Sequence, residues 1–70
     1  MKMSARNQIT GKVKAVKNGV VTTQVTVDIG GGNTIVSSIT LESAKNLKLK
    51  KGAEVTVIIK ASDVMLGVAD

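Results

Sequence analysis

Two runs rich in β-branched residues flank Asn18-Gly19, and this arrangement constrains the fold more than any other feature of the chain. Upstream, Ile9, Gly11, Val13 and Ala15 alternate with Thr10, Lys12 and Lys14 until Val16 breaks the pattern, which reads as a strand with one buried face. Downstream, Val21, Thr23, Val25, Val27 and Ile29 share a face. Branching at Cβ suits a pleated surface better than a helix. Asn-Gly tolerates positive φ at both centres of a type I′ turn, so a hairpin closed at Asn18-Gly19 is expected.

Gly30-Gly31-Gly32-Asn33 interrupts next. It lacks the Lys-Ser/Thr ending and the following helix of a phosphate-binding loop, so a plain hairpin loop leading into a strand over residues 34–39 is expected. Thr40-Leu41-Glu42-Ser43-Ala44-Lys45-Asn46-Leu47 opens with a hydroxyl and continues with helix formers, which predicts one or two helical turns capped by Thr40. Lys48-Leu49-Lys50-Lys51-Gly52 reads as a solvated turn. Beyond it, Ala53, Val55, Val57, Ile59 and Ala61 alternate as another strand, and residues 64–68 make a short final one. Five strands and one short helical connection in 70 residues point to a single all-β domain. The expected architecture is a small closed or partly open barrel of the oligonucleotide/oligosaccharide-binding (OB) type.

A chain this small, without cysteine, histidine, proline or aromatic residues, has only aliphatic packing to stabilise it, so association with copies of itself is expected. Catalysis has little to work with. There is no histidine or cysteine, and Asp28, Glu42, Glu54, Asp63 and Asp70 are scattered rather than paired, so a non-enzyme is expected. The net charge of +5 favours an anionic partner. Nucleic acid is one such partner, but no ring is present for a base to stack on and there is no room for a helix-turn-helix. No apolar run approaches a membrane span, and no signal-like segment opens the chain, so a soluble cytoplasmic protein is expected.

Three segments carry anion chemistry. Ser4-Ala5-Arg6-Asn7-Gln8 combines a guanidinium fork, shorter polar donors and small residues that leave backbone amides within reach, and it holds no carboxylate. By itself such a stretch equally fits a solvated lead-in. Thr40 and Ser43, three apart, face one side of a helix N-terminus, although Thr40 could serve as a cap alone. The third segment, Lys60-Ala61-Ser62-Asp63-Val64, follows the last long strand.

Taken together and in order, Ser4-Ala5-Arg6-Asn7-Gln8 with Gly11, Ile39-Thr40 with Ser43-Ala44, Leu47 and Gly52, and Lys60-Ala61-Ser62 with Val64 closely resemble the molbindin family. These are small molybdate-binding proteins, first called molybdenum-pterin-binding proteins. Their module (the Mop domain) also occurs in molybdate-responsive regulators and in molybdate-transporter ATPases. The resemblance covers residues 1–70 as one such domain. It implies a five-stranded OB-like barrel that assembles as a hexamer, a trimer of dimers, with oxyanion sites between subunits. It further implies that molybdate is held by Ser4, Ala5 and Arg6, by Thr40 and Ser43, and by Lys60 and Ala61, with Ser62 beside them, and that no residue ligates the metal directly. Molybdate is a deprotonated tetrahedral dianion, which a donor-only site suits, whereas hydrogenphosphate carries a proton needing an acceptor. Tungstate is expected to bind almost identically. Intracellular molybdenum storage or homeostasis is the implied role; the alternatives are binding of a molybdenum-pterin cofactor, disfavoured by the lack of aromatic rings, and a nucleic-acid-binding OB-type module.

Overall fold

A computed structural model describes residues 2–70. The chain runs β1 (Asn7–Asn18), β2 (Thr22–Gly30), β3 (Asn33–Thr40), a helix α1 (Leu41–Asn46), β4 (Glu54–Ile59) and a single 3₁₀ turn over Ala61–Asp63. All pairings are antiparallel, in the order β3-β2-β1-β4. The two neighbours of β1 are staggered. From Asn7 to Lys12 it pairs with β4, and from Lys12 to Asn18 with β2. Such stagger tilts the strands and curls the sheet towards a barrel.

Two features bend β1. Gly11 lies where β2 crosses closely: a Cβ there would stand 2.6 Å from the Asp28 carbonyl oxygen and 2.7 Å from Val27 Cγ1. Only a residue without a side chain permits that approach. Between Val13 and Ala15 the register with β2 shifts, so Ala15 faces outward and Val16 turns in. The break in alternation at Val16 is thus a β-bulge, one extra residue that reverses which side chains face the core. That core is small. Val13, Val25 and Val27 are buried at its centre, with Val16, Ile29, Ile39, Leu49, Val55 and Val57 packed around them.

Both hairpins form, but their turns are exchanged relative to expectation. Asn18 stays in β1 opposite Thr23, because its side-chain oxygen accepts a hydrogen bond from the fully buried Thr23 hydroxyl at 3.1 Å. The reversal falls later, over Gly19, Val20 and Val21, closed by Gly19 N–H donating to the Thr22 carbonyl at 2.7 Å. The two-residue turn with positive φ at both centres is instead Gly31-Gly32, at φ 64° and 77°, between the paired residues Gly30 and Asn33.

The short helix forms as the sequence implies. Thr40 is its N-cap, and it closes in a Schellman arrangement, with Lys48 N–H donating to the Lys45 carbonyl and Leu49 N–H to that of Ala44, both at 3.1 Å. Lys48 occupies the left-handed position at φ 54°, where glycine is usual. Among the described residues no helix is long and apolar enough to cross a membrane.

The sheet has four strands, not five. Residues 64–68 form no strand, because they leave the body of the chain and meet no partner edge: Met65, Leu66 and Val68 are 92%, 95% and 94% exposed. The curled sheet therefore stays open between β3 and β4. The chain exposes 5721 Å², against roughly 4,100 Å² for a compact monomer of its mass. Its radius of gyration is 13.0 Å, against about 11 Å.

Gly11→Val is expected to cost about 1–3 kcal/mol, since the obstructing atoms include backbone. Lys48→Gly is expected to stabilise by about 0.5–1 kcal/mol through relief of the left-handed strain. Denaturant unfolding at fixed protein concentration checks both.

Candidate anion-binding site

The β1–β4 ladder decides which of the candidate residues meet. Its end pairs Asn7 with Ile59. Arg6 and Lys60 are the residues next beyond that last pair, so both lie at the same end of the ladder, with Ala5 and Ser4 preceding the one and Ala61 and Ser62 following the other. Two cations held at one end of a ladder repel, and nothing but an anion between them reverses that sign. Arg6, Lys60, Ala61 and Ser62 are all exposed, while Ala5 is buried and anchors the lead-in.

The amides that looked available for the anion are spent on architecture. Asn7 Nδ2 donates to the Ile59 carbonyl at 3.2 Å and ties β1 to β4. Gln8 Nε2 donates to the Ala5 carbonyl at 3.3 Å and pins the turn that carries Ser4 and Arg6. The role of Asn7 was not legible in the sequence, because its partner lies 52 positions away in the chain. Lys60 itself lies at the start of the 3₁₀ turn, its carbonyl accepting from Asp63 N–H at 2.9 Å.

Thr40 and Ser43 form a second group. The Thr40 hydroxyl accepts from Ser43 N–H at 3.0 Å and donates to Ser43 Oγ at 2.8 Å, so Thr40 caps the helix and the two hydroxyls form one unit. The Ser43 hydroxyl keeps its own proton free to donate outward. Thr40 pairs with Thr22 beside the far end of β1, whereas Arg6 and Lys60 flank its near end. Along an extended strand the eleven steps from Asn7 to Asn18 span up to about 36 Å. The fold therefore gathers Ser4, Ala5, Arg6, Lys60, Ala61 and Ser62 at one end and leaves Thr40 and Ser43 at the other.

Chemically the first group is a cluster of hydrogen-bond donors with two permanent cations. Among the described residues no group of three or more acidic, cysteine or histidine side chains could hold a metal ion. The arrangement suits an oxyanion recognised through its oxygens, not a cation ligated by the chain.

Comparison with known proteins agrees with this chemistry. The TOBE domain family matches residues 3–66. Molybdenum-pterin-binding protein 1 of Clostridium pasteurianum is 52% identical over 66 residues, covering 94% of this chain and 97% of its own. Among solved structures, a molybdate-binding protein from Sporomusa ovata is 32% identical with a TM-score of 0.90, covering 97% of this chain and 100% of its own. The cytoplasmic molybdate-binding protein ModG, in a form with molybdate bound, is 45% identical with a TM-score of 0.93, covering 99% of this chain and 49% of its own.

Replacement of the capping hydroxyl in Thr40→Ala is expected to lower stability by about 1 kcal/mol, measured by denaturant unfolding at fixed concentration, whereas Thr40→Asp restores the cap.

Proposed function

The chain belongs to the TOBE-domain family, in its group of molybdenum-pterin-binding proteins, and from that premise we propose that it binds molybdate between subunits. The observation that carries the reading is the pairing of Asn7 with Ile59, which puts the next residues outward, Arg6 and Lys60, at one end of the β1–β4 ladder, two cations among donors that suit a dianion. In this reading Ser4, Ala5 and Arg6 with Lys60, Ala61 and Ser62 supply one wall of the site. Thr40 and Ser43 of another subunit supply the facing wall. The separation of the two groups along β1 supports a shared site, since one chain alone presents only half of the donors at either place.

The assembly proposed is a hexamer, a trimer of dimers, of single domains spanning residues 1–70. The surface left exposed, some 1,600 Å² beyond that of a compact monomer, exceeds the roughly 800 Å² that each partner buries in a standard interface and falls in the range of a subunit in an obligate one. Burial between subunits lowers the dielectric around the anion and strengthens every contact to it. A fully deprotonated tetrahedral oxyanion satisfies every donor. Hydrogenphosphate brings a proton for which the Arg6–Lys60 group offers few good acceptors, so it is disfavoured. Tungstate, of the same charge and shape, binds alongside molybdate.

The role that follows is non-enzymatic: cytoplasmic storage and buffering of molybdenum as its oxyanion. Binding of a whole molybdenum-pterin cofactor is the second reading, favoured by the name of the C. pasteurianum relative. It lacks an aromatic slot for the pterin, because the chain contains no aromatic residue.

Calorimetric titration tests the proposal. Molybdate and tungstate are expected to bind tightly, with sulfate and phosphate weak or silent. Arg6→Ala and Lys60→Ala are each expected to weaken molybdate binding roughly ten- to a hundredfold, the loss of a charge-assisted contact worth about 1.5–3 kcal/mol. Thr40→Asp, which keeps the cap but places a carboxylate against the anion, is expected to abolish binding without unfolding the chain. Lys50→Ala serves as the control with little effect. Full affinity in both the Arg6 and Lys60 variants would remove these residues from the site.

A further inference from the structure

Asn18-Gly19 sits where β1 gives way to its turn, and no other asparagine in the chain is followed by glycine. Asn7, Asn33 and Asn46 precede Gln8, Thr34 and Leu47, whose side chains crowd the backbone nitrogen. Glycine carries no side chain, so its nitrogen can reach the carbonyl carbon of the asparagine side chain and close a five-membered imide. The reacting atoms already belong to neighbouring residues, so the reaction needs no second molecule to begin.

Both residues of the pair are imposed by the fold. A Cβ at position 19 would stand 2.8 Å from the Thr22 carbonyl oxygen, so the turn requires glycine. The Asn18 side-chain oxygen accepts from the Thr23 hydroxyl, which is fully buried and costly to leave without a partner. The same contacts hold the reaction in check. Ring closure needs the Gly19 nitrogen to give up its proton and swing onto Asn18 Cγ. That N–H is donated to the Thr22 carbonyl at 2.7 Å, and the Asn18 side chain is held by Thr23 at 3.1 Å while its backbone lies extended in the β1–β2 ladder. Yet the turn is at the surface. Asn18 and Gly19 are exposed, as are Val20 and Val21 beyond them, so water reaches the pair whenever the turn opens.

We propose that Asn18-Gly19 is a self-modification site, a deamidation centre that the β1–β2 hairpin keeps shut and that reacts when the turn opens. The Gly19 nitrogen attacks Asn18 Cγ, and the new C–N bond replaces the bond to the side-chain nitrogen, which leaves as ammonia with the Gly19 proton. Water then opens one of the two C–N bonds of the imide. Breaking the bond to Cγ leaves aspartate; breaking the bond to the main-chain carbonyl carbon leaves isoaspartate. Aspartate keeps the strand and still accepts from Thr23. Isoaspartate routes the main chain through the side-chain carbon, one atom longer, which throws position 18 out of register with Thr23 and strands the buried hydroxyl. Either product adds a negative charge at a hollow of about 140 Å³ that Asn18 lines together with Lys45 and Lys48.

Incubation of the purified full chain in mildly alkaline buffer, folded and in urea, tests the proposal. The gain of one mass unit is located by fragmenting peptides cut at acidic pH, and isoaspartate is detected by enzymatic methylation. Conversion is expected at Asn18 ahead of Asn7, Asn33 and Asn46, and at least roughly tenfold faster in urea than in the folded protein, as for any site reached through local opening. Thr23→Val keeps the shape of the side chain and removes the hydroxyl. In the folded state it is expected to speed conversion roughly two- to tenfold, the factor that one neutral hydrogen bond is worth. Equal rates for the unmodified chain folded and in urea would show that the hairpin holds nothing shut, and no conversion at Asn18 in urea would show that the pair does not react; either overturns the proposal. An unchanged rate in folded Thr23→Val would overturn the part assigned to the Thr23 hydroxyl. Should that variant not fold, the comparison of the unmodified chain in the two states decides alone.

Discussion

Everything in this fold depends on β1 serving two partners along two different halves of its length. Six residues pair with β4 and six with β2, Lys12 being common to both and Lys14 bulged out of the second ladder. To do so the strand has to curl, and it does so at Gly11, where β2 leaves no room for a Cβ, and at the bulge after Val13, where the inward face changes parity. The three valines at the centre of the core pack against the concave side of that curl. A straight β1 would leave a flat sheet with a hydrophobic face and no means of covering it.

The same strand governs the chemistry. Its first residue puts Arg6 at the same ladder end as Lys60, and its last lies near the strand end that carries Thr40. The donors are thus distributed by topology, not gathered by a flexible loop, and their positions are held by ladder bonds and by the amides of Asn7 and Gln8. A rigid frame of this kind favours an anion of fixed tetrahedral shape, since the donors lose little freedom when it arrives.

Much of this was legible in the residues themselves. Alternation revealed four strands, and Thr40 with its following helix formers announced the cap and the short helix; the break at Val16 was visible, but that it is a bulge turning Ala15 outward follows only from the pairing with β2. The turns were less legible. Asn18-Gly19 has the composition of a type I′ turn, yet the buried Thr23 hydroxyl holds Asn18 in the ladder, a tertiary demand invisible to local propensity. Residues 64–68 have the composition of a strand, but a strand forms only where it lies along an edge, and the segment runs clear of both free edges of the chain's own sheet. The anion-binding segments could be listed from the sequence, whereas which of them lie together could not, because that follows from a register set by residues half a hundred positions apart.

The pairing of Asn7 with Ile59 also carries a kinetic consequence. The Asn7 side-chain bond to the Ile59 carbonyl joins positions 52 residues apart, whereas the β1–β2 and β2–β3 hairpins close through short turns. Contacts that close long loops form late in folding and open early in local fluctuation. Arg6 and Lys60 therefore sit on the last seam of the molecule to zip up. In the proposed site an anion held from both sides of that seam would act as its clasp, and the rate at which the seam opens would set the rate at which the anion leaves.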